Sequence, residues 1–258
     1  MPKRMIQSVK HYLKRFRRWS FRRLVSAYAV PGSVSKAPAL VLAPHPDDEV
    51  FGCGGLIALK RDLGLPVTVV FLTHGEASHR ACCQTDPKRI GAWRRQQALA
   101  SLAVLGVAED SIHWLACQDG QIPQAGDPTF LETESQLAKL LQHHPGEIYT
   151  PHPLDGWPDH KAATELTRAA LQKVDGVFDL YYYPVWMWYL FPFSQFSLIP
   201  QQKVFAVDVA SGLDRKREAM DGYLSSLVQP CGVPGCGRLP EGFLDPFQQS
   251  REFFFRPS

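Results

Sequence analysis

From Ala39 onward the sequence alternates between short apolar runs and longer segments with helical periodicity, and this alternation leaves few folds open. An apolar run without polar alternation is typical of a strand that is buried on both faces of its sheet. Strands that alternate with helices favour a parallel sheet with helices on both sides. The predicted strands are Ala39–Ala43 and residues 67–73, 111–115, 147–150, 178–183 and 204–209. The predicted helices lie between residues 44 and 63 and at residues 92–105, 130–143, 160–173 and 213–224.

Length and composition fit one large α/β domain with an appendage. The chain has 258 residues, of which 45% are hydrophobic and 21% are charged. These values exclude a wholly disordered chain, a collagen and a small disulfide scaffold. No stretch approaches about 18 consecutive apolar residues, so we expect no membrane-spanning helix.

The amino-terminal segment differs in charge from the rest of the chain. Residues 1–46 contain ten Lys and Arg and no acidic residue, whereas the remainder has 18 basic against 25 acidic residues. Residues 3–29 have the periodicity of a basic amphipathic helix, which could lie on an anionic membrane surface. The alternative is a helix that docks on the protein's own acidic body; nucleic-acid binding is less favoured. We therefore divide the chain into this arm (residues 1–30), a linker (31–38) and a main domain (39–258).

The six cysteines do not require a disulfide framework. The adjacent Cys82 and Cys83 cannot readily bridge to each other, and Cys231 and Cys236 lack a second pair that would complete a four-ligand zinc site. We expect buried or idle thiols. Because the amino terminus also lacks the pattern of a signal peptide, we expect a reducing, cytoplasmic location.

The first cluster of reactive side chains follows the first predicted strand, in the sequence PHPDDE at residues 44–49. Chemistry in parallel α/β folds lies beyond the carboxyl ends of the strands. Three neighbouring carboxylates repel one another unless a cation neutralises them, and His45 and Asp48 offer ligands suited to zinc. Asp47 then remains beside the metal as a proton acceptor. The alternative is a solvated acidic turn that caps a helix.

A second cluster, TPHPLDGWPDH at residues 150–160, follows another predicted strand and opens a helix. His160 could supply a third metal ligand, because a catalytic zinc commonly has three protein ligands and an open position. Asp159 beside it could orient a neighbouring group. The glycines at residues 52–55 do not match a nucleotide-binding fingerprint.

These segments, in this order, resemble the PIG-L / LmbE-like de-N-acetylase family over roughly residues 39–227. PHPDDE matches the family motif (A)HPDDE, and PDH at residues 158–160 matches the end of HPDH. Weaker matches are THGE at residues 73–76, the segment 94–107, the Asp-Gly turn at 119–120 and the segments 183–186 and 216–223. The resemblance implies a Rossmann-like fold and a zinc hydrolase that acts on N-acetylated amino sugars.

The resemblance also implies roles for individual residues. It suggests His45, Asp48 and His160 as zinc ligands and Asp47 as the general base that accepts the proton of the attacking water. The remaining expected site residues are Asp159 and His152 for catalysis and Arg94, Asp119 and Trp157 for substrate binding.

Three positions depart from the family pattern. Trp157 stands where the family usually has a histidine that helps with the oxyanion or a proton, and an indole cannot titrate. His152 is the nearest replacement, with His74 and His79 as others. His74 and Gln97 stand where the family has acidic residues. A catalytically impaired homologue that only binds carbohydrate is therefore an alternative.

The aromatic segment at residues 181–193 could stack on a sugar or contact a lipid, although packing in the core is the simpler interpretation. Together with the basic helix it suggests a lipid-linked glycan at the inner membrane face. A soluble sugar conjugate is nearly as well supported, and a non-sugar N-acyl substrate would use the same metal site. The sequence does not indicate an oligomeric state.

Overall fold

The computed structural model describes residues 2–81, 83–143, 146–224, 232–233, 236 and 238–257, with the side chains of residues 2–8 excepted. The strands are β1 (Val30–Gly32), β2 (Ala39–Ala43), β3 (Val67–Phe71), β4 (Ile112–Trp114), β5 (Glu147–Pro151), β6 (Asp179–Tyr183), β7 (Lys203–Asp208) and β8 (Arg251–Arg256). The helices are α1 (Pro2–Tyr28), α2 (Asp48–Asp62), α3 (Pro87–Val104), α4 (Phe130–Gln142), α5 (Pro158–Leu171), α6 (Met187–Leu190) and α7 (Leu213–Leu224).

These strands form a single mixed sheet in the order β1-β7-β8-β6-β5-β2-β3-β4. All pairings are parallel except those of β8, which runs antiparallel between β6 and β7. The predicted α/β class and the parallel-rich sheet are confirmed. Strand β8 is a feature that the sequence analysis missed, although its REFFFR sequence has the aromatic content of a strand.

Helices cover both faces of the sheet, as predicted. Along β2 the side chains of Ala39, Val41 and Ala43 join one apolar cluster, which α2, α3 and α7 complete. The alternate residues, Leu40 and Leu42, join a second cluster with α4 and α5. Since successive residues of a strand point to opposite faces, β2 is buried on both sides and carries no polar residue.

Two of the differences from the predicted element boundaries have a clear structural cause. Helix α3 begins five residues earlier than predicted, because the Asp86 side chain accepts a hydrogen bond from the Lys88 N–H at 3.0 Å and Pro87 occupies the first turn. The predicted linker begins inside β1, which pairs in parallel with β7 from Val30 to Gly32. The amino-terminal arm is thus joined to the edge of the sheet.

Helix α1 is docked through its carboxyl-terminal half. Phe21 and Val25 are buried, and the Phe21 ring stacks on Phe191 with centroids 4.5 Å apart. Arg18 donates to the carbonyl of Glu241 at 2.8 Å. A different face remains exposed, and it carries the apolar residues Val9, Tyr12, Leu13, Phe16 and Trp19. In the part of the chain that the structure describes, no helix combines the length and the apolar character needed to cross a membrane.

The cysteines differ in state. Cys53 and Cys117 are free thiols. Cys236 is disulfide-bonded, so the expectation of idle thiols is wrong for Cys236. Cys82 and Cys231 lie outside the described residues.

Candidate active site

The two reactive segments meet because their strands are neighbours. β2 and β5 pair in parallel, so their carboxyl ends lie at the same edge of the sheet. The segment after β2 leads into α2, and the segment after β5 leads into α5, with His160 in the first turn of that helix. Residues that are more than 110 positions apart in sequence thereby come within hydrogen-bond distance.

Three side chains converge as a metal-binding group. Asp48 Oδ2 lies 3.2 Å from His45 Nδ1 and 3.2 Å from His160 Nε2. A tetrahedral zinc site with ordinary bond lengths separates a nitrogen and an oxygen ligand by about 3.4 Å. The ligand atoms of His45, Asp48 and His160 all lie within 4.8 Å of one another. The residues present therefore fit a divalent ion.

Carboxylates hold the far side of both histidine rings. Asp155 Oδ2 lies 2.7 Å from His160 Nδ1. At His45 Nε2, Asp159 Oδ2 lies at 3.0 Å and Asp119 Oδ1 at 3.2 Å. A carboxylate on one ring nitrogen keeps the proton there and leaves the lone pair of the other nitrogen for a metal.

These contacts place Asp159 and Asp119 where they can orient the ring of His45, whereas the resemblance suggested catalysis for Asp159 and substrate binding for Asp119. Asp159 also accepts the N–H of Gly120 at 2.8 Å, and Asp119 accepts the N–H of Ala77 at 2.7 Å. Sequence reasoning missed Asp155 altogether. Its only signal was a carboxylate in a turn of otherwise apolar residues, and its complete burial becomes visible only in the fold.

The site has an excess of negative charge. Burial alone would lower the pKa of His160, but Asp48 and Asp155 outweigh it and raise that pKa to about 9. Carboxylates that attract a proton to a buried imidazole also attract a cation, because both reduce the same repulsion. A divalent ion at this position would neutralise the cluster.

Asp47 has an unusual backbone conformation that directs its carboxylate into the site. Its φ of 125° is rare for a residue with a side chain. The Asp47 N–H donates to Glu49 Oε2 at 2.9 Å, and Tyr223 Oη donates to Glu49 Oε1 at 2.6 Å. Glu49 is thus a buried support for Asp47, and the sequence analysis gave it no function.

Arg94 positions the carboxylate of Asp47. Its Nη2 donates to Asp47 Oδ2 at 2.9 Å and also to the carbonyl of Pro46. Burial raises the pKa of Asp47 to about 6, although Arg94 opposes that shift. Gly75 makes room for this arginine, since a Cβ there would lie 2.7 Å from Arg94 Nε and the φ of +69° also favours glycine.

A cavity of about 490 Å³ opens over this group. His45, Asp47, Asp48, Arg94, Asp119 and Trp157 contribute to its lining. Trp157 is 42% exposed and stacks on Trp186 with ring centroids 5.1 Å apart. The two stacked indoles form an aromatic surface that lines the cavity, and part of Trp157 is accessible to solvent.

His152 does not belong to this site, which corrects the expectation that it is catalytic. Both of its ring nitrogens are engaged elsewhere: Nε2 contacts Gln202 Oε1 at 2.7 Å, and Nδ1 accepts the N–H of Leu154 at 3.0 Å. Burial lowers its pKa to about 4, so the ring is neutral and structural. The ring of His74 packs against the ring of Trp114, with centroids 4.9 Å apart.

Comparison with known proteins gives a consistent result. The family model described as "PIG-L: GlcNAc-PI de-N-acetylase" matches residues 40–171. The probable N-acetyl-alpha-D-glucosaminyl L-malate deacetylase 2 of Bacillus subtilis is 28% identical over 144 residues, which cover 54% of this chain and 62% of the relative. The chain spans 53% of the 1D-myo-inositol 2-acetamido-2-deoxy-alpha-D-glucopyranoside deacetylase of Corynebacterium glutamicum, so less than two thirds of these relatives is represented.

Solved structures show the same fold. The N,N'-diacetylchitobiose deacetylase of Pyrococcus horikoshii is similar with a TM-score of 0.60 and 20% identity, and covers 84% of this chain and 82% of its own. GalB, a 4-carboxy-2-hydroxymuconate hydratase from Pseudomonas putida, has a TM-score of 0.57 and 22% identity, and covers 75% of this chain and 85% of its own. A shared fold thus includes a deacetylase and a hydratase, and the site has to decide the chemistry.

Proposed function

Since this chain belongs to the PIG-L family, we propose that it is a metal-dependent de-N-acetylase that hydrolyses the acetamide of an N-acetylated amino sugar. One observation supports this most directly. The ligand atoms of His45, Asp48 and His160 converge, and His45 and Asp48 line a cavity together with Asp47. This combination provides a metal site and a separate proton acceptor, which amide hydrolysis by water requires.

Zinc suits the ligand set of two imidazoles and one carboxylate, and when bound it lowers the pKa of a coordinated water to about 7 and polarises the amide carbonyl. Asp155 lies against His160, and Asp159 and Asp119 lie against His45, so these carboxylates would orient the two imidazoles as ligands of such an ion.

Asp47 accepts the proton of the attacking water and then delivers a proton to the departing amine. Its carboxylate is held by Arg94, and its backbone is held by Glu49. The family histidine is replaced by Trp157, whose indole N–H can donate a hydrogen bond but cannot titrate. Since His152 is engaged outside the site and Asp47 lies beside the metal group, we assign both proton transfers to Asp47.

The cavity favours a substrate with a flat apolar face as well as an amide. Trp157 and Trp186 present indole surface next to the metal group, and the less polar face of a pyranose ring packs on such surfaces. This supports an amino sugar over a linear N-acyl compound. We infer that Trp157 contributes to binding the sugar rather than to the chemical step.

We further propose that α1 attaches the protein to an anionic membrane surface, which would bring the cavity to a lipid-linked glycan. Tyr12 is 79% exposed, and Val9, Leu13, Phe16 and Trp19 lie on the same helix face. The exposed basic residues Lys10, Lys14, Arg15 and Arg23 are complementary to anionic headgroups. Arg17 donates to the carbonyl of Tyr189 at 2.6 Å, so this helix contacts the aromatic segment that leads to Trp186.

Flotation with vesicles tests the membrane proposal. Wild type should float with vesicles that contain an anionic phospholipid, and the variant Tyr12→Ser/Leu13→Ser/Phe16→Ser should remain in the soluble fraction. Leu131→Ser is the control: it makes the same kind of substitution at an exposed leucine of α4, and it should float as wild type does. Equal soluble fractions for wild type and the triple variant would remove the membrane proposal.

Acetate release from a panel of N-acetylated amino sugars tests the catalytic proposal. Zinc-loaded wild type should release acetate, and Asp47→Asn should lose at least about 100-fold in kcat while it retains its metal, because it removes the proton acceptor alone. Full activity in Asp47→Asn would contradict the assignment of the base. The second candidate, a carbohydrate-binding homologue without catalysis, is favoured by Trp157 and predicts sugar binding without acetate release.

A further inference from the structure

A second set of metal-binding side chains converges where two segments distant in sequence meet. His79 Nδ1 lies 3.2 Å from the Sγ of Cys236 and 3.8 Å from the Sγ of Cys83. The ligand atoms of all three residues lie within 4.8 Å of one another. His79 and Cys236 are buried, and Cys83 is half-buried. None of the three belongs to the His45 group.

The spacing of these atoms fits one ion. A tetrahedral zinc with a sulfur ligand at about 2.3 Å and a nitrogen ligand at about 2.05 Å separates the two by about 3.6 Å. The two observed distances lie on either side of that value. The local backbone explains the pairing of His79 with Cys83, because the Cys83 N–H donates to the His79 carbonyl at 3.2 Å. One turn of helix-like backbone places residues four apart on the same side.

We propose that, in the reduced protein, His79, Cys83 and Cys236 bind a zinc ion or another divalent ion that prefers sulfur and nitrogen ligands. Two thiolates balance the charge of the ion, and thiolate with imidazole is a donor set that selects zinc over hard cations such as magnesium. Three protein ligands leave the fourth position to a water or to a further donor.

The disulfide of Cys236 makes this site dependent on redox state. Two equivalents of a low-molecular-weight thiol reduce that bond and are themselves oxidised to a disulfide. Cys236 and the cysteine bonded to it each gain one electron and one proton. The ion then takes the place of the thiol protons of Cys83 and Cys236, which are released to solvent.

An ion at this site would have a structural function, because its ligands belong to two segments that both contribute to the lining of the cavity. His79 and its neighbours Ser78 and Arg80 line one side, and Leu239 and Pro240, just after Cys236, line another. An ion held between Cys83 and Cys236 would fix the distance between these walls. The inference does not depend on the proposed deacetylase activity, since it concerns ligands that are separate from the catalytic group.

Cobalt substitution tests the site directly. Metal-free protein is reduced with a phosphine and titrated with Co²⁺, because thiolate ligands give cobalt a charge-transfer absorption that histidine and carboxylate ligands do not. Wild type should show this absorption. His45→Ala/His160→Ala should keep it, and Cys83→Ser/Cys236→Ser should lose it. Cys117→Ser replaces a half-buried free thiol outside the group and should retain the absorption.

Zinc content provides the second measurement. Reduced wild type should hold about two zinc ions per chain, and each double variant should hold about one. Absence of the charge-transfer absorption in reduced wild type would overturn the proposal without reference to any variant. Its persistence in Cys83→Ser/Cys236→Ser would do the same. Loss of acetate release alone, with both ions bound, would instead count against the proposed function.

Discussion

Asp155 offers the sharpest test of how the metal group is held. Its two buried oxygens face four donors: Oδ1 accepts the N–H groups of Val185 and Met187 at 2.8 and 2.9 Å, and Oδ2 accepts that of Trp186 at 2.9 Å. The same Oδ2 lies 2.7 Å from His160 Nδ1. In the variant Asp155→Asn, the amide oxygen can still accept the N–H groups of Val185 and Met187. The amide nitrogen then faces the Trp186 N–H and His160 Nδ1.

This exchange changes the proton position on His160. An amide nitrogen donates to Nδ1, which moves the ring proton to Nε2, the atom that faces Asp48. Metal binding requires the opposite tautomer, with the proton on Nδ1 and the lone pair on Nε2. Loss of such a supporting carboxylate typically costs about 10–100-fold in metal affinity, or about 1.4–2.7 kcal/mol. The unmatched Trp186 N–H should also lower the free energy of unfolding by about 1–3 kcal/mol.

Competition with a fluorescent zinc chelator measures the affinity, and denaturant unfolding of the metal-free protein measures the stability. Zinc binding to the catalytic group is isolated by performing the titration in the Cys83→Ser/Cys236→Ser background. Asp175→Asn, the same change at an exposed aspartate, should leave both quantities at their wild-type values. A folded Asp155→Asn protein that binds zinc within about twofold of wild type would refute the proposed orientation of His160.

Three further outcomes are expected. Glu49→Gln should retain most activity, because its amide can accept a hydrogen bond from the Asp47 N–H and donate one to Tyr223. Glu49→Ala should lose at least about tenfold in kcat. Equal activities of the two variants in an acetate-release assay would contradict the proposal that Glu49 supports Asp47. Trp157→Ala should raise KM by about tenfold with little change in kcat, because it removes sugar-binding surface; a loss confined to kcat would assign the indole to the chemical step. His152 has a pKa of about 4 in the folded state, below its unfolded value of about 6.5. The free energy of unfolding is therefore highest above pH 6.5, and it falls as the pH drops towards 4. Between pH 7 and pH 4.5 this histidine should lower the free energy of unfolding by about 2–3 kcal/mol. Urea unfolding of His152→Asn at the two pH values should therefore show a smaller decrease than wild type. The same decrease in both proteins would count against a buried, neutral His152.

The sequence by itself determined the fold class and selected the residues that converge as the candidate metal group. Apolar runs such as Ala39–Ala43 indicate strands buried on both faces, because periodicity and burial are linked locally. The rule that sites follow strand ends then selected His45, Asp47, Asp48 and His160 before any contact was known. These are short-range patterns, so the sequence is sufficient to find them.

Other features depend on which segments become neighbours, and only the tertiary structure decided them. β8 lies antiparallel between β6 and β7 although it comes last in the chain, and nothing in its six residues specifies that position. Helix α1 has apolar residues on more than one face. The aromatic segment near Phe191 covers the face that carries Phe21 and Val25, and the face that carries Tyr12 remains exposed.

The supporting groups have the same explanation. Asp155 and Asp159 sit within five residues of each other in sequence, yet they serve different histidines, and His152 in the same segment serves neither. His79, Cys83 and Cys236 likewise converge across more than 150 positions. A side chain's function at such a site is set by the direction in which it points and by what lies opposite, and both are properties of long-range packing rather than of local sequence.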